Sequence, residues 1–383
     1  MNIESSPTPK GNRFKITMAF AGLAALCAAI LFYQTQDKNH ANTKKEILVV
    51  LPLSGKGASH GEYIREGLKM YAKHHPDSQL HVTIVDSESD PKKAVSAFQQ
   101  QLLLKKPVAA ISILSGVSAN IAPNAQDNDL LLVGINTAPA SFVDDFTITQ
   151  RINDRPSDHT APLAKMAARK FDAVGVLYAN DAFGQFCLTT FKESYKKDNS
   201  HEVIAEPFNP TEPDQNLVVQ RLLAKNPDAI FVAGYGQGYI TIFQTLRTFS
   251  YKKPIFADIN LSNPTVLAAL GDAADGIVFA AMGFNVSPPS TEKAARFLAE
   301  YQSEFQREPW LGSAFVYDTM AIFDHLAKTG KPFTRQSIYE LKKFDGIAAP
   351  LSFPSPGECQ YIFSFVKRGG GKNVPVALDQ LSH

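Results

Sequence analysis

The sequence predicts an α/β protein in which parallel β-sheets form two lobes. From residue 46 onward, short apolar runs typical of strands buried on both faces alternate with helical patterns. This alternation indicates βαβ units, which build parallel sheets. The length of 383 residues is that of about two domains. The alternation is interrupted between residues 146 and 155 and then restarts, so we place the crossing into a second lobe there.

Composition and motifs argue against several classes of function. A net charge of +1, with 44% hydrophobic and 20% charged residues, is ordinary for a globular protein and predicts no nucleic-acid partner. The chain has no G-x-S-x-G elbow, no H-E-x-x-H and no C-x-x-C motif. We therefore predict neither an enzyme nor a metal or cofactor site.

The amino-terminal region differs from the rest of the chain. Residues 1–15 are polar and predicted to form a disordered cytoplasmic tail, and residues 16–33 are almost uncharged. Basic residues before this apolar run predict a signal sequence or a membrane anchor that exports the remainder, and we favour the uncleaved anchor. Residues 34–45 are predicted to form a polar tether to the folded part of the chain. Cys187 and Cys359 form either one disulfide or two buried thiols.

Polar residues follow two neighbouring strands of the predicted first lobe. Ser115 comes after the apolar run Val108–Ile113 and opens a helical pattern, and Thr137 comes after the run Leu130–Ile135. Helix amino termini carry unpaired N–H groups, and open α/β sheets bind ligands beyond the carboxyl ends of their strands. These residues predict one wall of a ligand site. The alternative is that both are ordinary capping residues.

Aromatic residues occupy the corresponding places in the second half of the chain. Phe183 and Tyr235 each follow a predicted strand, so both are expected on the rim that faces the first lobe. Such rings cover the apolar part of a small ligand in many binding sites. Packing of the rings within the rim is the alternative. Together with Ser115 and Thr137, they favour a cleft between the lobes.

Several short motifs in a fixed order resemble a known family. The chain resembles the type I periplasmic binding proteins of the branched-chain amino acid class, which are the solute receptors of ABC importers. The resemblance extends from Glu46 to about Ala377. Its marks are Pro52-Leu53-Ser54-Gly55 with Gly61, Asp86-Ser87-Glu88-Ser89-Asp90-Pro91, Arg151-Ile152-Asn153-Asp154-Arg155-Pro156-Ser157-Asp158, Asn180-Asp181-Ala182-Phe183-Gly184, Gly271-Asp272-Ala273-Ala274-Asp275-Gly276 and Tyr317-Asp318.

This resemblance implies two Rossmann-like lobes with parallel central sheets, joined by a three-segment hinge. Residues 46–145 and 285–345 would form lobe 1, and residues 146–284 and 346–378 would form lobe 2. It also implies a periplasmic receptor without catalytic activity or cofactors, whose partners are a small organic solute and the membrane subunits of an ABC transporter.

The same resemblance implies roles for individual residues. Ser115 and Thr137 would hold the carboxylate of the ligand, assisted by backbone groups near Ile135. Phe183 and Tyr235 would be the aromatic residues of the second lobe, with Phe183 in place of a tyrosine common in the family. Ser54 would lie at the mouth of the cleft.

One departure from the family concerns the residue that pairs with a ligand ammonium group. Members that bind amino acids have an acidic residue after a later strand of the second lobe, and here either Asp258 or Asn260 matches it. If Asn260 is the match, a buried ammonium would lack its countercharge. The solute would then be an amide, a carboxylic acid or another non-zwitterionic molecule. The alternative to a transport receptor is a membrane-anchored ligand sensor with the same fold.

Overall fold

The computed structural model describes residues 44–55, 57–137, 139–195 and 201–380. The predicted tail, the apolar run 16–33 and most of the tether lie outside the described residues. Glu46–His383 form one compact unit. Within the described part of the chain, no helix combines the length and the apolar character needed to cross a membrane.

The described residues contain fifteen strands, distributed over three sheets. In chain order they are β1 (Lys45–Leu51), β2 (Leu80–Asp86), β3 (Ala109–Ile113), β4 (Leu131–Ile135), β5 (Thr149–Arg151), β6 (Ala173–Ala179), β7 (Glu202–Phe208), β8 (Ala229–Ala233), β9 (Ile255–Ala257), β10 (Val278–Ala281), β11 (Lys343–Asp345), β12 (Pro350–Ser352), β13 (Gln360–Tyr361), β14 (Ser364–Gly369) and β15 (Lys372–Pro375).

Twelve α-helices among the described residues connect or cover these strands. They are α1 (Ala58–His74), α2 (Pro91–Leu104), α3 (Ser115–Asp127), α4 (Ser141–Asp144), α5 (Pro156–Ala167), α6 (Ala182–Tyr195), α7 (Asn216–Leu223), α8 (Gly236–Thr248), α9 (Pro264–Leu270), α10 (Glu292–Phe305), α11 (Leu311–Thr329) and α12 (Arg335–Tyr339).

The two large sheets are the centres of two lobes, which confirms the predicted fold class. The first sheet has the order β2-β1-β3-β4-β5, and β1, β3, β4 and β5 pair in parallel. The second has the order β15-β14-β10-β9-β8-β6-β7, parallel from β7 to β10 and antiparallel from β10 to β15. β3, β4 and β8 consist of buried residues on both faces, as strands between helical layers require.

The first lobe is completed by helices that follow the second lobe in the sequence. Helix α11 packs along α1, and both helices contribute to one hydrophobic core with the first sheet. Gly67 of α1 permits this close approach, because a Cβ atom there would lie only 2.4 Å from the carbonyl oxygen of Ser313. A helix that follows the whole second lobe in the sequence therefore belongs to the core of the first sheet.

The observed lobes differ from the predicted boundaries in two places. β5 pairs with β4 in the first sheet, although residues 146–284 were predicted to lie in lobe 2. Its three residues, Thr-Gln-Arg, carry no apolar side chain, so the strand produces no hydrophobic signal. Residues 346–378 were also predicted to lie in lobe 2. However, β12 pairs with β11 and with β13 in the small third sheet, and Leu351 and Tyr361 join the core of the first lobe.

The cysteine alternatives are decided by the structure. Cys187 and Cys359 are both buried and free. Burial raises the pKa of the Cys359 thiol to about 12, which keeps it protonated. The structure therefore agrees with the prediction of two buried thiols and contradicts the disulfide.

Candidate functional site

A cavity of about 440 Å³ lies where the carboxyl ends of the two sheets face each other. The first lobe contributes Gly57, His60, Ser89, Leu114, Ser115, Asn136, Thr137, Trp310 and Leu311. The second lobe contributes Phe183, Phe186, Tyr235 and Asn260. The crossing between the lobes contributes Arg151, Asn153, Asp154, Arg155 and Pro156. Five of the eight predicted site residues therefore line one cavity.

Strand register explains why the polar residues of the first lobe meet. Ile113 and Ile135 are paired at the ends of the parallel strands β3 and β4, so the segments that follow emerge side by side. The turn into α3 passes through Leu114 with φ 80°, a conformation that non-glycine residues rarely adopt. The hydroxyl of Ser115 then donates to the carbonyl oxygen of Asn136 at 3.4 Å.

Three buried hydroxyl groups form a chain behind this wall. The hydroxyl of Thr137 donates to Oγ of Ser118 at 2.9 Å, and Ser112 donates to the same oxygen at 2.8 Å. Thr137 is fully buried and yet lines the cavity. Its hydroxyl is held in place before any ligand is present, because its own hydrogen is directed to Ser118.

The wall on the second lobe is built from rings. Tyr178 and Ala233 are paired near the ends of the parallel strands β6 and β8, which brings Phe183 and Tyr235 together. Their ring centroids are 6.2 Å apart in an edge-to-face arrangement. Tyr235 is 46% exposed, and its hydroxyl donates to Asp181. Partial burial and this hydrogen bond raise the pKa of Tyr235 to about 12.

The two candidates for the acidic position occupy different environments. Asp258 is fully buried and is not among the residues that line the cavity. Its carboxylate accepts hydrogen bonds from the hydroxyl of Tyr239 at 2.7 Å, Nδ2 of Asn260 at 3.0 Å and the backbone N–H of Gly234 at 3.2 Å. Asn260 is the residue that reaches the cavity. Desolvation raises the pKa of Asp258 to about 7 despite the three donors.

Two further predicted residues are also absent from the lining. The hydroxyl of Ser54 donates to Oδ2 of Asp86 at 2.8 Å, which ties its loop to the end of β2. The side chain of Ile135 lies in the hydrophobic core, as expected for the last residue of a central strand. Its carbonyl oxygen accepts the N–H of Leu114 at 3.2 Å and therefore stabilises the turn rather than facing the cavity.

Sequence reasoning missed the charged residues of the crossing. The nearly buried guanidinium of Arg151 lies 3.3 Å from Oε1 of Glu358 and donates to the carbonyl oxygen of Pro139. Arg155 contacts Asp158 at 3.1 Å and Glu358 at 3.9 Å. Burial raises the pKa of Glu358, an effect that both arginines oppose. The polar cluster from residue 151 to 158 was noted only as a family mark, although charges at a lobe crossing indicate a cleft floor.

Trp310 is the second element that the sequence did not reveal. It is 6% exposed, and its ring lies 5.5 Å from the ring of His60 and 5.8 Å from that of Tyr63. Within the described residues, its indole N–H has no hydrogen-bond acceptor. Burial lowers the pKa of His60, so this neighbour is neutral at pH 7. An oxygen atom of a ligand in the cavity could accept a hydrogen bond from this donor.

The arrangement is suited to binding a small molecule. Among the described residues, no group of three or more His, Cys, Asp or Glu side chains is placed to hold a metal ion. Hydroxyl groups and an indole ring lie on one wall and aromatic rings on the other, around a cavity of small-molecule size. Two α/β lobes with such a cleft define a bilobal solute-binding protein.

Comparison with known proteins agrees with this class. Residues 46–354 match the family model described as periplasmic binding protein, and the chain belongs to that family. Members of the family are solute-binding proteins.

Solved structures with the same fold share only about a fifth of their residues with this chain. The solute-binding protein of an ABC transporter from Rhodopseudomonas palustris BisB5, in complex with 3,4-dihydroxybenzoic acid, is 20% identical, with TM-score 0.76 over 88% of this chain and 97% of that one. A leucine-binding protein from Thermotoga maritima is 21% identical, with TM-score 0.73 over 87% and 98%. The isoleucine complex of a substrate-binding protein from Streptococcus pneumoniae is 21% identical, with TM-score 0.74 over 86% and 97%.

Proposed function

We propose that this protein is the extracytoplasmic receptor of an ABC importer. In this role it captures a small amino-acid-like, amide or carboxylate solute between its lobes. The observation that carries the proposal is the cavity of about 440 Å³, which has hydroxyl groups on one wall and aromatic rings on the other. Its volume falls within the range of roughly 300–1,000 Å³ that small-molecule sites occupy.

The first-lobe wall supports recognition of a carboxylate or amide oxygen. Helix α3 begins at Ser115, and its amino-terminal N–H groups and dipole favour a negative ligand group. The indole N–H of Trp310 is an additional donor in the lining of the same cavity. A solute held here would place its apolar part against Phe183 and Tyr235.

The similar structures support the same range of solutes. One of them holds isoleucine and another holds 3,4-dihydroxybenzoic acid, and both molecules join one carboxylate to an aliphatic or aromatic group.

Binding is proposed to close the cleft. The chain passes between the lobes after β5, after β10 and before β14, so three segments form the hinge. Tyr235 is nearly half exposed, and contact with a solute and the first lobe would cover it. Since the solute would contact both walls only in the closed form, binding would shift the population toward closure. The closed form would then be recognised by the membrane subunits of the transporter.

The experiment is isothermal titration calorimetry on the full-length protein with a panel of amino acids, their amides, and aliphatic and aromatic acids. At least one compound is expected to bind with a Kd in the micromolar range or below. Native mass spectrometry of the purified protein would identify a solute that copurifies. Absence of binding across the whole panel, together with no copurifying solute, would contradict the proposal.

Residues 16–33 are proposed to export the folded part and to retain it at the inner membrane as an uncleaved anchor. Mass spectrometry of the mature amino terminus tests this directly. A terminus upstream of residue 16 supports the anchor, and one downstream of residue 33 shows that the segment is a removed signal sequence.

A further inference from the structure

We infer that the solute of this cleft is a carboxylic acid with an apolar body and no ammonium group. The inference rests on the proposed function and narrows it to one class of solute. It follows from the way in which the acidic groups around the cavity already have partners in the protein, while donors on the opposite wall are available.

The acidic group behind the second-lobe wall is committed to the protein itself. Asp258 accepts three hydrogen bonds, from Tyr239, Asn260 and the backbone of Gly234, within 3.2 Å. It is fully buried and does not line the cavity. This carboxylate fixes the loop after β9 to the start of the loop after β8. A ligand ammonium could reach it only by displacing these donors.

Asn260 presents an amide to the cavity where a countercharge for an ammonium group would be needed. Its Nδ2 donates to Asp258 at 3.0 Å, which shields that carboxylate from the cavity. An amide oxygen accepts a hydrogen bond from an ammonium but does not neutralise its charge. Burying a charged group without a countercharge is strongly unfavourable.

The carboxylate that does line the cavity also has a partner. Asp154 is the one acidic residue among the described lining residues, and its Oδ2 lies 3.2 Å from Nε2 of the fully buried His159. The guanidinium groups of Arg151 and Arg155 line the same floor. Both guanidinium groups are already paired with the carboxylates of Glu358 and Asp158, and an ammonium group at Asp154 would share that carboxylate with His159.

The opposite wall offers donors for the carboxylate of the solute. The buried indole N–H of Trp310 has no acceptor within the described residues, and an unsatisfied buried donor is costly until a ligand oxygen accepts from it. The amino terminus of α3 adds backbone donors and a favourable dipole. Leu114, Leu311 and the rings of the second lobe leave apolar surface for the rest of the molecule.

Matched pairs of compounds test the inference. Leucine and 4-methylpentanoate share a side chain and a carboxylate and differ only in the ammonium group, as do phenylalanine and 3-phenylpropanoate. Calorimetry on the full-length protein at pH 7 is expected to show at least tenfold tighter binding of the deaminated acid in one or both pairs.

The possible results separate the inference from the proposed function. If the amino acids bind as tightly as the deaminated acids or more tightly, the inference is wrong and the solute-binding function still holds. This is so whether the ammonium group contacts Asp154 or Asp258. If none of the four compounds binds, the inference is wrong as well. If no compound of the wider panel binds, the result would also contradict the proposed solute-binding function.

A gain-of-function variant tests the assigned role of Asn260. Asn260→Asp supplies a carboxylate at the cavity and is expected to shift the affinity ratio of leucine to 4-methylpentanoate at least tenfold toward leucine. Asn216→Asp, at an exposed position at the start of α7, is the matched control and should leave the ratio unchanged. Thermal denaturation verifies that both variants are folded. An unchanged ratio in folded Asn260→Asp would refute the role of this residue.

Discussion

The hydroxyl of Tyr361 donates a hydrogen bond to Oδ2 of Asp318 across 3.1 Å in the core of the first lobe. The other carboxylate oxygen, Oδ1, accepts the backbone N–H of Ile347 at 2.7 Å. Asp318 lies on α11, and its two partners belong to the segment that forms the third sheet. One buried carboxyl group therefore holds the last crossing against the first lobe.

Asp318 is expected to make stability decrease as the pH rises from about 4 to 7. Burial raises its pKa to about 7, whereas an unfolded aspartate titrates near pH 3.9, so the folded state binds more protons within this window. Asn resembles the protonated acid: its Oδ1 still accepts from Ile347, and its Nδ2 donates to the hydroxyl oxygen of Tyr361. In Asp318→Asn, the loss of unfolding free energy between pH 5 and 7 should be smaller than in the wild type by on the order of 1–2 kcal/mol.

Denaturant titrations at several pH values measure this difference. Asp272→Asn, at an exposed position, serves as the control and should follow the wild-type profile. Asp258 contributes in the same direction and remains in the variant, so a residual slope is expected. Identical pH profiles of Asp318→Asn and the wild type would contradict the prediction.

Thr137→Val is expected to weaken solute binding about fivefold to tenfold. The change keeps the shape of the side chain but removes the hydroxyl that faces the cavity and donates to Ser118. The lost hydrogen bond to Ser118 holds this part of the cavity wall in place and contributes about 1 kcal/mol. A free energy of 1.4 kcal/mol corresponds to a tenfold change in affinity. Calorimetry measures the change, with Thr248→Val at the exposed end of α8 as the control. If Thr137→Val and Thr248→Val bind the solute with equal affinity, Thr137 does not contribute to the binding site.

Tyr235 allows the contribution of its ring to be separated from that of its hydroxyl. Tyr235→Ala removes a wall of the cavity and should lower affinity more than tenfold, because a ring buried on closure contributes roughly 1.5–3 kcal/mol. Tyr235→Phe keeps the ring and loses only the hydrogen bond to Asp181, so a change of about threefold is expected. If Phe and Ala weakened binding equally, the hydroxyl and not the ring would be the determinant.

Gly67→Ala is expected to destabilise the protein by several kcal/mol. The new Cβ atom would lie 2.4 Å from the carbonyl oxygen of Ser313 and 2.6 Å from Cγ1 of Val316, so α1 and α11 would have to separate. Gly116→Ala, in the first turn of α3, is the control, since its nearest neighbour would be 3.6 Å away. Thermal denaturation compares the two, and similar melting temperatures would argue against close helix packing at Gly67.

The fold was predictable because its strands and helices carry strong local signals. The central strands are uninterrupted apolar runs, and the polar turns after β3 and β4 mark the ligand edge of the sheet. β5 escaped detection because Thr-Gln-Arg is a short edge strand without apolar residues. The placement of residues 346–363 failed for a different reason, since membership of a core depends on contacts between distant segments.

The candidate site was predictable only where a residue's position along a strand determines its place. Ser115, Thr137, Phe183 and Tyr235 follow strands whose ends are adjacent, so strand order alone brings them to the cavity. Asp258 and Asn260 are two positions apart, and only the hydrogen bonds of Asp258 show which one faces inward. The indole of Trp310 comes from the start of α11, and no local pattern connects it with the first sheet.

The discontinuous composition of both lobes has a consequence for biogenesis. The first sheet lacks its covering helix α11 until residue 329 has been synthesised, and the second lacks β14 and β15 until residue 375. Neither lobe can therefore complete its core while the chain is still emerging, and contacts of high sequence separation form slowly. An incomplete chain therefore leaves apolar core residues of both lobes without their packing partners.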